Sequence, residues 1–142
     1  MGLAFFYELF PEQSEVETLA ISLDDEQAAV YKLPASQYFF CEQICPNPDC
    51  RCNEVIATVC APNFTGNLAS LIIGFEDTDK APTVKPALDA PQSQYSDRLA
   101  RLLFDRLKRD PPAAARLQRH YDLVKKRAIR DLARHKFLTS AK

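Results

Sequence analysis

Tryptophan is absent from this chain, and glycine occurs only three times in 142 residues. No Gly-rich phosphate loop is present, nor a G-x-S-x-G nucleophile elbow, nor an H-E-x-x-H metal helix. No apolar run approaches the roughly 20 residues that a membrane-spanning helix needs. The opening MGLAFFYELF has no basic stretch and meets Pro11 and Glu12 instead of a small-residue cleavage site, so no secretory signal is expected. Phe6 stands where a myristoylation signal wants Ser or Thr. Internal repeats and low-complexity tracts are missing as well.

What is present fits one globular domain. Apolar residues make up 46% and charged residues 26%, too apolar for a disordered chain. Leu19, Ile21 and Leu23 alternate with Thr18, Ala20 and Ser22, the period of a half-buried strand. Further strands are expected over 3–10, 30–33, 38–43, 55–60 and 68–75, with a turn at Asp24-Asp25-Glu26. After a Pro-rich linker over 76–94 the period changes. Ser96 reads as an N-cap, and Leu99, Leu102, Leu103 and Leu107 form a helical stripe. Asp110-Pro111 signals a second helix start, and Leu117, Tyr121, Val124, Ala128 and Leu132 continue at helical spacing. The expected fold is α+β: an antiparallel β-meander with a cysteine-rich metal loop, covered by a C-terminal αα-hairpin. Residues 1–75 are strand-rich and 95–138 form the hairpin.

The chain is organised around YFFCEQICPNPDCRCNEV, residues 38–55. Four of the five cysteines, Cys41, Cys45, Cys50 and Cys52, fall there, around the turn residues Pro46-Asn47-Pro48-Asp49. Such clustering fits thiolate metal ligands in a reducing compartment better than a disulfide framework, and a cytoplasmic location is expected. Zinc takes four such ligands in a closed tetrahedron when its role is structural. The spacing matches neither common ferredoxin pattern, which favours zinc over an iron–sulfur cluster. Cys45, Cys50 and Cys52 flank the turn. Cys41 lies within the strand, so the fourth ligand is either Cys41 or His120 on the second helix. Cys60 reads as a small core residue.

An aromatic strand followed by C-x4-C-x-C and a β-branched strand resembles an uncharacterised family of bacterial proteins. PQSQYSD and QRHYDLVKK are similar to its C-terminal part, so the likeness spans roughly residues 38–130. The resemblance implies a metal-bearing loop at Cys45, Cys50 and Cys52, and Arg119-His120-Tyr121 as a recurring element. It implies an apolar residue at the position of Cys41, and it carries no activity.

Charge is divided unevenly. Residues 1–97 hold 15 acidic side chains against four basic, and residues 98–142 hold 14 basic against four acidic. Such asymmetry points to a partner or to one half facing the other. The leading expectation is a non-enzymatic module with a structural zinc ion that works through protein binding or self-association. Its acidic loops (Asp24, Asp25, Glu26, Glu76, Asp77) would then meet the basic helices. Nucleic-acid binding is the alternative, with Arg116, Arg119, Lys125, Lys126, Arg127, Arg130 and Arg134 as the electrostatic surface. A thiol redox switch at the cysteine loop is another.

Overall fold

Period-two alternation organises the molecule. The computed structural model describes residues 3–47, 49, 52–75 and 82–140, with side chains excepted at 132 and 135–140. In chain order the elements are β1 (Ala4–Phe5), α1 (Phe6–Leu9), α2 (Pro11–Glu17), β2 (Leu19–Leu23), α3 (Asp25–Tyr31) and β3 (Ser36–Ile44). β4 (Glu54–Cys60), β5 (Ala69–Gly74), β6 (Thr83–Pro86), α4 (Ser96–Arg109) and α5 (Pro111–Ser140) complete them. β2 through β6 form an antiparallel meander, and β1 pairs with the same edge of β3 as β2 does. The α+β meander with a helical hairpin is therefore the fold.

The hairpin covers one face of the sheet. Leu99, Leu102, Leu103 and Leu107 of α4 are buried, as are Leu117, Tyr121 and Val124 of α5. They meet the inward positions Val55, Ala57 and Val59 of β4 and Leu71 and Ile73 of β5. Each fully buried leucine of this kind stabilises the fold by about 1.5–3 kcal/mol. Along β3 the same alternation sends Tyr38, Phe40, Glu42 and Ile44 inward, all buried, and leaves Phe39, Cys41 and Gln43 half-buried on the other face.

Local signals overturn several boundaries. Of the expected strand over 3–10, only Ala4 and Phe5 pair with β3. Pro11 starts α2 instead of merely ending a strand, since its missing N–H costs nothing in a first helical turn. Residues 24–31 were expected as a turn and the start of a strand, yet they make α3. Asp24 Oδ1 accepts from the Gln27 N–H at 2.8 Å while Gln27 Oε1 accepts from the Asp24 N–H at 3.1 Å, a reciprocal capping box. Lys32, in the left-handed region at φ 55°, ends that helix. The Pro-rich linker contains β6, which pairs with β5. Ser96 is not the N-cap of α4 but its first residue, after Tyr95, and its hydroxyl accepts from the Ser93 N–H at 3.0 Å.

Candidate functional site

The cysteine loop joins β3 to β4. Their register pairs Gln43 with Ile56, and continuing it sets Cys45 opposite Glu54. Cys45, half-buried, and Cys52, exposed, thus stand at the two ends of the loop. Pro48, Cys50 and Arg51 lie outside the described residues. Two side chains one turn apart on α5 hold the loop. Lys125 Nζ donates to the Asn47 carbonyl at 2.8 Å, and the Tyr121 hydroxyl accepts from the Asn53 N–H at 3.2 Å. Asn53, at φ 51°, takes a left-handed turn that asparagine tolerates, and its Nδ2 donates to the Phe75 carbonyl at 2.6 Å. Within the loop, Asn47 Oδ1 accepts from the Asp49 N–H at 3.0 Å, an Asx turn.

Neither candidate for the fourth metal ligand is brought to this loop. Cys41 is four residues up the strand from Cys45, roughly 13 Å along it at 3.3 Å per residue. It approaches Cys60 to 4.3 Å instead. Burial, and then the Cys60 thiol beside it, pushes Cys41 up to about 11. A thiol so disposed stays protonated near neutral pH, which is poor chemistry for a ligand or a redox nucleophile. His120 turns both ring nitrogens to carboxylates. Among the described residues, no group of three or more His, Cys, Asp or Glu side chains is placed to hold a metal.

The surroundings of His120 are the more developed polar site. Its Nδ1 lies 2.8 Å from Glu42 Oε1 and 2.8 Å from Oε2, and its Nε2 lies 3.2 Å from Glu17 Oε1. The ring is fully buried and stacks on Phe6, with centroids 3.9 Å apart. Glu42 arrives here because β3 alternation makes position 42 an inward one, between Phe40 and Ile44. A carboxylate there is costly unless it is paired and hydrogen-bonded. Each ring nitrogen thus has a carboxylate oxygen within hydrogen-bond distance. Burial raises the Glu42 carboxyl, opposed by the bond and charge of His120 and by the charge of Arg116. Burial pushes Glu17 up too, but hydrogen bonds from Gln13, His120 and Arg119 outweigh it and hold the carboxyl low. The two carboxylates sit on opposite sides of one ring, so they cannot converge on an ion. This cluster joins α2, β3 and α5. Sequence reading missed it, although an acid at an inward position of YFFCEQI was its visible signal. The sheet separates His120 from Cys41 and Cys60.

The basic residues divide into two sets. Arg119 pairs with Glu17, Arg116 lies close enough to act on Glu42, and Lys125 holds the loop. Arg127 donates to the Leu9 carbonyl at 2.5 Å and lies over the Phe10 ring. Lys126, Arg130 and Arg134 are exposed. Of the expected counter-charges, Asp24 caps α3, and Glu76 and Asp77 lie outside the described residues; among the described residues Glu17 pairs with Arg119 and Glu42 with His120.

No protein-family model, curated protein or solved structure matches this chain. Geometry alone carries the functional argument. No described helix is long and apolar enough to cross a membrane.

Proposed function

We propose that this chain is a small binding module that self-associates through the sheet face opposite its C-terminal hairpin. One observation carries the reading. That face bears Phe5, Phe39, Ile56 and Ile72, all only half-buried, where a solvated face of an antiparallel sheet is ordinarily polar. Packing two such faces together, about 10 Å apart, removes these side chains from water. A structural zinc ion on Cys45, Cys50 and Cys52 belongs to the same reading. It would fix a loop that Lys125 and Tyr121 already dock on α5, and a reducing cytoplasm would keep the thiols available.

Light scattering on the purified chain tests the association. A dimer that becomes a monomer on Ile56→Lys supports the reading, and a monomer at every concentration removes it. Elemental analysis of protein prepared without added metal tests the zinc. About one ion per chain is expected for a site on these three thiolates, and it should be lost in Cys52→Ser. A second reading rests on Lys126, Arg130 and Arg134, which have no ion-pair partner among the described residues. Tight binding of random-sequence RNA or DNA that weakens steeply with salt would favour it.

A further inference from the structure

The sheet has two lateral edges, and they are treated differently. The β6 edge is four residues long and reads Thr-Val-Lys-Pro. Lysine and proline are devices that keep a stray strand from pairing there. At the other edge, β2 reads Leu-Ala-Ile-Ser-Leu and, among the described residues, pairs with β3 alone. It carries neither charge nor proline, so its outward N–H and C=O groups are a ready template for one more strand.

A cavity of about 220 Å³ lies beside that edge. Ile21, Ser22 and Leu23 all line it. Ile21 and Leu23 point to the helices and Ser22 away from them, so a groove touching all three opens along the strand's edge. Its rim is partly apolar, with Val30 of α3 76% exposed. Its far wall is cationic, made by Arg106 and Arg109 of α4. Arg109 is held by the Asp105 carbonyl at 3.3 Å and reaches the Tyr31 hydroxyl at 3.5 Å. Tyr31 in turn donates to the Asp105 carboxylate at 2.8 Å, which occupies that acid. Arg106 makes no ion pair among the described residues.

We propose that the β2 edge is a docking site for an extended, acidic segment of a partner protein, added to the sheet as a further strand. Main-chain bonds to β2 supply affinity. Alternate side chains of the segment meet Val30 and Leu23, and an acidic one reaches Arg106. A second copy of β2 fits poorly. Its own Leu-Ala-Ile-Ser-Leu carries no acid to set against Arg106. This site is separate from the sheet face opposite the hairpin, and the two readings stand or fall independently.

Selection from a displayed library of short random peptides on the wild-type chain, followed by NMR, tests the proposal. Enriched peptides should alternate apolar and acidic residues and slow amide exchange at residues 19–23. They should bind Arg106→Glu at least about tenfold more weakly, since the variant places an acid against the ligand's acid. Arg106 lies outside the buried core, and an unchanged amide spectrum elsewhere confirms that the variant folds. Failure to enrich any peptide would overturn the proposal, as would basic sequences or binders that perturb residues elsewhere. Concentration-dependent protection of residues 19–23 in the chain alone would also overturn it, because the edge would then serve a second copy.

Discussion

Glu42 and Cys41 are neighbours in sequence and opposites in environment. Glu42 faces the helices, closed over by α5 and bonded to His120, and only 5% of it reaches solvent. Cys41 faces away from the hairpin, half-buried beside Cys60 and close to Tyr7 of α1. A charge buried without its partner costs several kcal/mol, whereas a small thiol on a half-open face is worth little. Proximity along a strand therefore says little about shared chemistry. Register and alternation decide which side chains meet.

The contrast can be broken hardest from the helix side. His120→Ala should leave two carboxylates facing a void, at a loss of about 3–5 kcal/mol in urea unfolding. A double variant that also replaces Glu42 with leucine should lose less than the two single variants combined, because the stranded charge is gone. Additive losses would mean that the two side chains do not act as a unit.

Several elements were legible for a physical reason. In β2 and in the leucines of α4, one face is buried and the other is not, and the period shows it; β4 showed through its β-branched residues. Residues 6–17 were not, because FFYELF is apolar at every spacing and fits strand or helix equally. α3 was hidden by Val30 and Tyr31, β-formers that end a helix begun by Asp24 and Gln27. The capping pair was the better guide, since it satisfies two otherwise orphaned backbone donors. At the site, Cys41 joined the metal set by sequence distance alone. Glu17 and Glu42 went unread because their partner lies 78 residues or more away along the chain.

A milder perturbation sharpens the roles of the two acids through pH. Hydrogen bonds hold the folded Glu17 carboxyl below its usual 4.5. Folding therefore favours its ionised form. Its contribution is complete above about pH 4.5 and fades as pH falls through the lower folded value. Glu42 has the opposite sign, because burial raises it from 4.5 and folding favours its protonated form. Its contribution declines as pH rises from 4.5 through the raised value. In Glu17→Gln, urea midpoints should fall less steeply on the acid side than in wild type. Parallel acid limbs would show that Glu17 is not held by these bonds.

The smallest effect belongs to the outer face. Alkylation of Cys41 by iodoacetamide, followed by peptide mass spectrometry, should be slow near neutral pH and speed up toward its value of about 11. Fast labelling at neutral pH would mean an activated thiol and would revive the redox reading.

Urea unfolding of Glu42→Ala and Cys41→Ala, measured side by side, tests the two-faced strand most directly. Glu42→Ala should lose about 3–5 kcal/mol, because His120 is left buried between one partner and a cavity. Cys41→Ala should lose about 1 kcal/mol or less. Equal losses, or a larger one at Cys41, would contradict a strand that turns its charge to the hairpin and its thiol to the opposite face.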